Sequence, residues 1–178
     1  RMERFEEANV AYTKSLDLAE TIQPTHWFTF FARGITFERL DRWPEAEADF
    51  RKALELRPNQ PQVMNYLGYS LVEKNLKLDE ALEMIAAAAE LKPDSGHILD
   101  SLGWVLYRLG RFEEAVDPME AAVELMATDP VINDHLGDVY WAVGRYTEAH
   151  FQWHRALSFD PEPKEAARIR RKLDVGLD

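Results

Sequence analysis

The side chains best suited to chemistry in this sequence are histidines and carboxylates at regular spacing. His150 and His154 lie four residues apart, the spacing at which two side chains share one face of a helix. Zinc proteases place a glutamate directly after the first histidine of such a pair, but Phe151 occupies that position here. We therefore interpret the pair as surface histidines and treat a metal site as the minor alternative.

A second group of possible metal ligands comes from two segments of the chain, His97 with Asp100 and Asp134 with His135. Imidazole and carboxylate groups are ligand types that divalent metals accept, so a small metal-dependent activity at His97, Asp134 and His135 is one alternative. The preferred interpretation is that these side chains are hydrogen-bonding groups on a binding surface. We expect no catalytic residues, no bound metal and no cofactor, and hence no enzyme.

Composition narrows the class of partner. The chain has 178 residues with 21 Lys and Arg against 32 Asp and Glu, a formal net charge of −11. Such a balance argues against binding to nucleic acid or an anionic membrane, because both need a basic surface, and it favours a basic or apolar partner. There is no cysteine, which excludes disulfides and thiolate chemistry, and no apolar run is long enough to insert into a membrane.

The elements that position these side chains repeat along the sequence. Three series of small residues recur every 34 or 35 positions: Gly34, Gly68, Gly103 and Gly137; Ala46, Ala81, Ala115 and Ala149; and Ala53, Ala88, Ala122 and Ala156. A period near 34 is typical of a stacked helical repeat. Four mid-helix glycines in register indicate that paired helices approach closely, since glycine otherwise costs about 1 kcal/mol in a helix.

Each period is predicted to form two helices. Phe30, Gly34 and Phe37 share one face of the first helix, and Ala46 and Phe50 share one face of the second. We expect repeats at 27–60, 61–95, 96–129 and 130–163, after the second helix of a truncated repeat at 1–20 and before a charged capping helix at 163–174. Since Arg1 falls within a pattern already begun, we expect the chain to be a fragment. Pro118 lies inside a predicted second helix, where we expect a kink or a delayed helix start.

The pattern resembles the tetratricopeptide repeat across nearly the whole chain. Leu67-Gly68, Leu102-Gly103 and Leu136-Gly137 match its Leu-Gly pair, and alanines, an apolar or aromatic residue and a closing proline follow at the family's spacing. Two residues depart from the pattern. Arg33 replaces the leucine before the glycine, and Asn133 stands where the other repeats have Phe30, Met64 and Leu99. The resemblance implies an all-α, right-handed superhelical α-solenoid of antiparallel helix pairs, one half repeat plus four repeats and a cap, whose concave surface binds protein.

The concave surface is expected to consist of the outward face of each first helix. The residues predicted to line this binding groove are Phe28, Phe31, Ile35, Asn65, Tyr69, His97, Asp100, Trp104, Tyr107, Arg108, Asp134, Asp138 and Trp141, with Glu38, Gln62, Val72 and Val131 on the same face. Exposed aromatic groups in a groove are typical of binding sites, and Trp and Tyr are frequent hot spots. The alternative for each aromatic ring is packing against the neighbouring repeat.

The chemistry of these side chains predicts the partner. Some tetratricopeptide proteins hold the terminal carboxylate of a chaperone tail with Lys, Asn and Arg, but the matching positions here are mainly Phe31, Asn65, Asp100 and Asp134. We reject that mode because the aspartates repel a carboxylate. A non-catalytic adaptor that binds an apolar and basic protein segment is preferred. The other alternative is an oligomerisation or structural module that buries the aromatic surface against another copy.

The second half also resembles a narrower group. Its phrases DSLGWVLYRLGRFEEAV and DHLGDVYWAVGRYTEAHFQWHRAL are similar to C-terminal repeats of tetratricopeptide lipoproteins and adaptors of the bacterial envelope. This resemblance implies a bacterial source and a periplasmic parent protein tethered to the outer membrane, with the cytoplasm as the alternative compartment.

Overall fold

A computed structural model describes residues 2–177, which form ten α-helices and one 3-10 helix. The α-helices are α1 Met2–Asp17, α2 Trp27–Arg39, α3 Trp43–Leu56, α4 Pro61–Glu73, α5 Leu78–Leu91, α6 Gly96–Arg108, α7 Phe112–Leu125, α8 Pro130–Ala142, α9 Tyr146–Ser158 and α10 Pro163–Val175. The predicted all-α architecture is confirmed. None of the described helices has the length and apolar character that crossing a membrane requires.

The short turns between paired helices share one geometry. Asp41, Asn75, Gly110 and Gly144 each follow a first helix at equivalent positions and have positive φ, between 54° and 79°. In each turn the next residue donates its backbone N–H to a carbonyl five residues back, as Arg111 does to Leu106 at 2.9 Å. These bonds satisfy carbonyls that a helix end otherwise leaves unpaired, so the turn reverses the chain in a fixed way.

Close contact between paired helices explains the glycine series. A Cβ atom added to Gly34 would lie 2.6 Å from Cε1 of Phe50, and one added to Gly68 would lie 2.6 Å from Cγ1 of Ile85. Gly103 and Gly137 meet Met119 and Trp153 in the same way. All four facing side chains are fully buried, which confirms the predicted steric demand for no side chain at these glycines.

Helix α7 corrects the prediction made for Pro118. The helix begins at Phe112, six residues before the proline, and continues through it to Leu125. The expected delayed start is therefore wrong, and the other outcome expected there, a kink, stays a prediction. Pro118 cannot donate a backbone hydrogen bond to the preceding turn, but the neighbouring Ala115, Met119 and Ala122 are fully buried, and this packing holds the helix together.

Contacts divide the chain into two compact units, one up to Leu67 and one from Gly68, with the division inside α4. In the first unit, Arg33 forms a bidentate ion pair with Asp49 at 2.7 and 2.8 Å, and Asn9 donates to Thr36 at 2.8 Å. In the second unit, the helix pair α6 and α7 and the helix pair α8 and α9 each pack through the glycine contacts above. Each unit has its own apolar core.

Candidate protein-binding groove

The second unit contains a groove of about 470 Å³ that brings together the first helices of three successive pairs and the C-terminal helix. Tyr69 and Glu73 come from α4, Trp104 from α6, Val131 from α8, and Glu165 and Arg168 from α10. We call this site the acidic groove. Its lining also includes Asp134, His135, Asp160, Glu162 and Ile169. Its carboxylates outnumber its cations, while Tyr69, Val131 and Ile169 give it apolar surface.

Trp104 is a wall of the groove that is packed rather than open. Its side chain is only 8% exposed, and its indole N–H donates to Oε1 of Glu73 at 2.9 Å. Its ring stacks on Tyr107 and on His135, with centroids 5.0 and 4.0 Å away. The expectation that this aromatic stands on an open face is wrong for Trp104, because partners 31 residues before and after it cover the ring. Substituting it by alanine is therefore expected to weaken the fold as well as any binding.

His135 and Asp100 form a buried pair beside that ring. Nδ1 of His135 lies 2.9 Å from Oδ1 of Asp100, and both residues are buried. Burial alone lowers the pKa of His135, but the negative charge of Asp100, its hydrogen bond, and the charges of Asp134 and Asp138 leave the pKa raised above 6.5. The protonated imidazole is therefore the form that this site favours.

The aspartates predicted to bind a basic partner are already paired with the chain's own last helix. Nζ of Lys172 lies 2.8 Å from Oδ1 of Asp134 and 2.6 Å from Oδ1 of Asp138, and all three residues are buried. Arg168 adds a contact of 2.6 Å to Oδ2 of Asp134 and one of 2.7 Å to Glu165. Sequence reasoning missed these cations, although each lies 34 residues after its aspartate, one repeat length away.

Asp138 is tied to the core from two sides. Besides Lys172, it accepts a hydrogen bond from the indole Nε1–H of Trp153 at 2.9 Å. Burial raises the pKa of Asp138, and the charge of Lys172 opposes that rise. The carboxylate is thus a structural anchor for α10.

Trp141 is half-buried and lies against the end of the chain. A Cβ atom added to Gly176 would collide with the Trp141 ring, and Gly176 has φ of 78°, so both the close approach and the backbone favour glycine there. Trp141 also contacts the rings of Tyr146, His150 and Trp153. The C-terminal segment therefore covers part of the predicted binding face.

The remaining predicted residues differ in how open they are. In the first unit Phe28 is 57% exposed, whereas Phe31, Ile35 and Asn65 are half-buried, and Phe31 packs against Phe50 and Tyr66. In the second unit His97 is exposed, and Tyr69, Tyr107 and Arg108 are half-buried. Burial raises the pKa of Tyr69, and the nearby charges of Glu73, Asp100 and Glu165 raise it further. The rise therefore comes first from burial, with the neighbouring carboxylates acting in the same direction.

The metal-site alternatives do not form. Within residues 2–177, no group of three His, Asp or Glu side chains is placed to hold a metal ion. His135 is bonded to Asp100, and Asp134 is bonded to Lys172 and Arg168. His150 packs on Trp141 and Trp153 while His154 is exposed, so that pair has no third ligand either.

These features define a class of protein, an all-α array of paired helices with a groove along its first helices. Models of the tetratricopeptide repeat match residues 27–60 and 73–130, and the chain belongs to this family. The tetratricopeptide repeat-containing protein PA4667 of Pseudomonas aeruginosa is 35% identical over 81 residues, 46% of this chain. The matched segment spans only 14% of the length of that relative.

Solved structures share the fold. PilF of Pseudomonas aeruginosa has a TM-score of 0.77 at 19% identity, covering 98% of this chain and 80% of PilF. TTC0263 of Thermus thermophilus has a TM-score of 0.76 at 19% identity, covering 97% and 92%. MamA of Desulfovibrio magneticus has a TM-score of 0.67 at 21% identity, covering 75% of each chain. Because the identities are near 20%, the likeness shows a shared fold, the array of tetratricopeptide repeats, and no more.

Proposed function

We propose that this chain is a non-catalytic adaptor that binds an apolar and basic segment of a partner protein in the acidic groove. Tetratricopeptide proteins are in general protein-interaction scaffolds. The observation that carries the proposal is the groove itself, which is lined both by carboxylates, Glu73, Asp160, Glu162 and Glu165, and by apolar side chains. Val131, at 42% exposed, gives the groove an open aliphatic contact.

The charges of the groove favour a cationic partner segment. Asp134 is neutralised by Lys172 and Arg168, but the remaining carboxylates exceed the remaining cations, so a cationic segment gains favourable encounters and an acidic one is repelled. Arg168 illustrates the chemistry, because its guanidinium lies between the carboxylates of Asp134 and Glu165. A lysine or arginine of a partner beside an aliphatic side chain has matching surfaces in the same groove.

A peptide-display selection followed by titration tests the proposal. Random twelve-residue peptides are selected on the chain, and the enriched peptides are titrated against Glu162→Lys and Glu124→Lys. Both glutamates are exposed and both changes reverse one charge, but only Glu162 lines the acidic groove.

We expect enrichment of Lys or Arg with apolar residues and a loss of about fivefold in affinity, near 1 kcal/mol, for Glu162→Lys alone. Equal affinities for the two variants, or enrichment of acidic peptides, contradict the proposal.

Self-association is the second candidate, and exposed apolar side chains of α9 favour it. Tyr146 and Phe151 are 55% and 60% exposed, on a helix outside the acidic groove. Sedimentation of the wild type and Phe151→Lys across concentrations tests this function. A dimer that Phe151→Lys abolishes supports it, and a monomer at every concentration removes it.

The cellular compartment of the protein is also part of the proposal. The envelope-like phrases of the second half lead us to expect a bacterial parent protein that is tethered in the periplasm. Fractionation of cells that express the full-length protein tests this expectation, and a cytoplasmic location contradicts it.

A further inference from the structure

His135 is a titratable group that the proposed binding function does not itself use. It is 4% exposed, it contacts Asp100 of α6 through Nδ1, and its ring stacks on Trp104, which forms a wall of the acidic groove. Trp104 is in turn held by Glu73 of α4. One imidazole therefore links three helices of the second unit at the base of the groove.

Charge balance around the imidazole depends on its proton. The charges of Asp100 of α6 and of Asp134 and Asp138 of α8 act directly on the imidazole. Tyr69 and Glu73 of α4 line the same groove, and Glu73 holds the Trp104 ring on which the imidazole stacks. Lys172 and Arg168 pair with Asp134 and Asp138. Among residues 2–177, His135 is the one cation within hydrogen-bonding distance of the Asp100 carboxylate, which is 6% exposed. A neutral imidazole leaves that buried charge without a counter-ion.

We propose that His135 is a proton-operated lock: in its charged form it joins α6 to α8 through Asp100 and holds Trp104 against the acidic groove. When the imidazole loses its proton, the ion pair is lost and the wall formed by Trp104 loosens. The effect of the lock on peptide binding in the acidic groove rests on the proposed function. Its effect on folding stability does not.

The direction of the pH effect follows from the raised pKa of His135. An unfolded chain titrates this histidine near 6.5, and the folded chain holds the proton to higher pH. The stabilisation is therefore complete below about pH 6.5 and is lost as pH rises through the folded pKa. An environment that becomes more acidic strengthens the wall of the groove.

Urea unfolding from pH 5.5 to 9 tests the lock with His135→Gln and His154→Gln. A glutamine amide can still lie on Trp104 and donate to Asp100, but it does not titrate, and His154 is an exposed histidine that serves as the control. We expect the urea concentration at the unfolding midpoint to decrease as the pH rises above 6.5 in the wild type and in His154→Gln. In His135→Gln we expect no such decrease. The same pH profile in all three proteins overturns the proposal.

Nuclear magnetic resonance titration of the wild type keeps the test valid if His135→Gln does not fold. The imidazole of His135 is expected to titrate above pH 6.5, and a midpoint at or below 6.5 overturns the lock. Affinity for a selected basic peptide is expected to change over the same pH range in the wild type and in His154→Gln, but not in His135→Gln. If no peptide binds, the proposed function fails while the unfolding and imidazole titrations still decide the lock.

Discussion

At one position of their first helices, the two units place opposite kinds of chemistry. Phe31 in the first unit contacts the rings of Phe50 and Tyr66, with centroids 6.0 and 5.7 Å away. The equivalent positions two and three repeats after Phe31, both in the second unit, carry Asp100 and Asp134, which pair with His135 and Lys172. The helix-pairing contacts of glycine with a large side chain are shared by both units. The repeat therefore fixes how helices pair and leaves this position free to be aromatic or ionic.

The difference has energetic consequences. An aromatic contact loses little when pH or salt changes, whereas a buried carboxylate depends on its counter-ion. Removing one partner of a buried pair leaves the other charge desolvated, which costs more than the pair contributes. We therefore expect the second unit to respond more strongly than the first to loss of a single cation.

The largest expected effect comes from Lys172→Met. The change keeps the aliphatic stem but leaves Asp134 and Asp138 buried beside each other, so we expect a loss of about 3–5 kcal/mol in the free energy of unfolding. Urea unfolding measures it. Lys164→Met, on the exposed side of the same helix, is the control and is expected to change stability by less than about 0.5 kcal/mol. Similar losses in the two variants refute the ionic anchor.

Leucine at a packing glycine tests what the units share. Gly34→Leu and Gly103→Leu both force a side chain against Phe50 or Met119, so each is expected to cost about 3 kcal/mol by thermal or urea unfolding. Gly144→Ala is the control, because nothing lies within 4 Å of its Cβ position and only its φ of 79° is strained, at about 1 kcal/mol. A loss in one unit alone breaks the claim of shared packing.

Arg33→Met measures the ionic contact of the first unit. Asp49 keeps 8% side-chain exposure and Arg33 17%, and the pair lies within one helix pair. Water reaches this pair more readily than it reaches the pairs of Lys172. We therefore expect a smaller loss, about 2 kcal/mol in the free energy of unfolding. Arg39→Met, at 58% exposure, is the comparison and is expected to be near neutral. A loss as large as that of Lys172→Met removes the contrast between the units.

The smallest effect is expected for Arg111→Gln in the second unit. The pair of Arg111 with Glu114 is formed at 2.6 Å, but both side chains are open to water, where such pairs contribute little. The unfolding midpoint should match that of the wild type at physiological salt. The contradicting result is a clear drop in the unfolding midpoint of Arg111→Gln when high salt causes no such drop in the wild type. It would mean that short distance alone, rather than burial, sets the strength of these ion pairs.

The repeating part of the molecule could be predicted from the sequence because it follows from sterics. A glycine every 34 residues needs a large side chain opposite, and Phe50, Ile85, Met119 and Trp153 lie there. Helix pairs and close packing were therefore predictable. The uninterrupted helix around Pro118 was not, since tertiary packing outweighs the local cost of one proline.

The candidate site was less predictable because its contacts cross from one repeat to the next. Helical spacing grouped Asp100, Trp104, Asp134 and Asp138 on one face of the first helices, but it did not give their burial. Trp104 reaches Glu73, 31 residues earlier, and Asp134 reaches Lys172, 38 residues later. Distances of this kind depend on how repeats stack, which periodicity alone does not specify.

The most direct test of the central claim is to map a bound peptide on the chain. A basic peptide from the display selection is added to isotope-labelled protein, and amide and side-chain resonance shifts are recorded. The acidic groove predicts the largest shifts at Tyr69, Val131 and Glu165, with little change at Phe28 of the first unit. Shifts centred on Phe28, or on the exposed Phe151 of α9, contradict binding in the acidic groove.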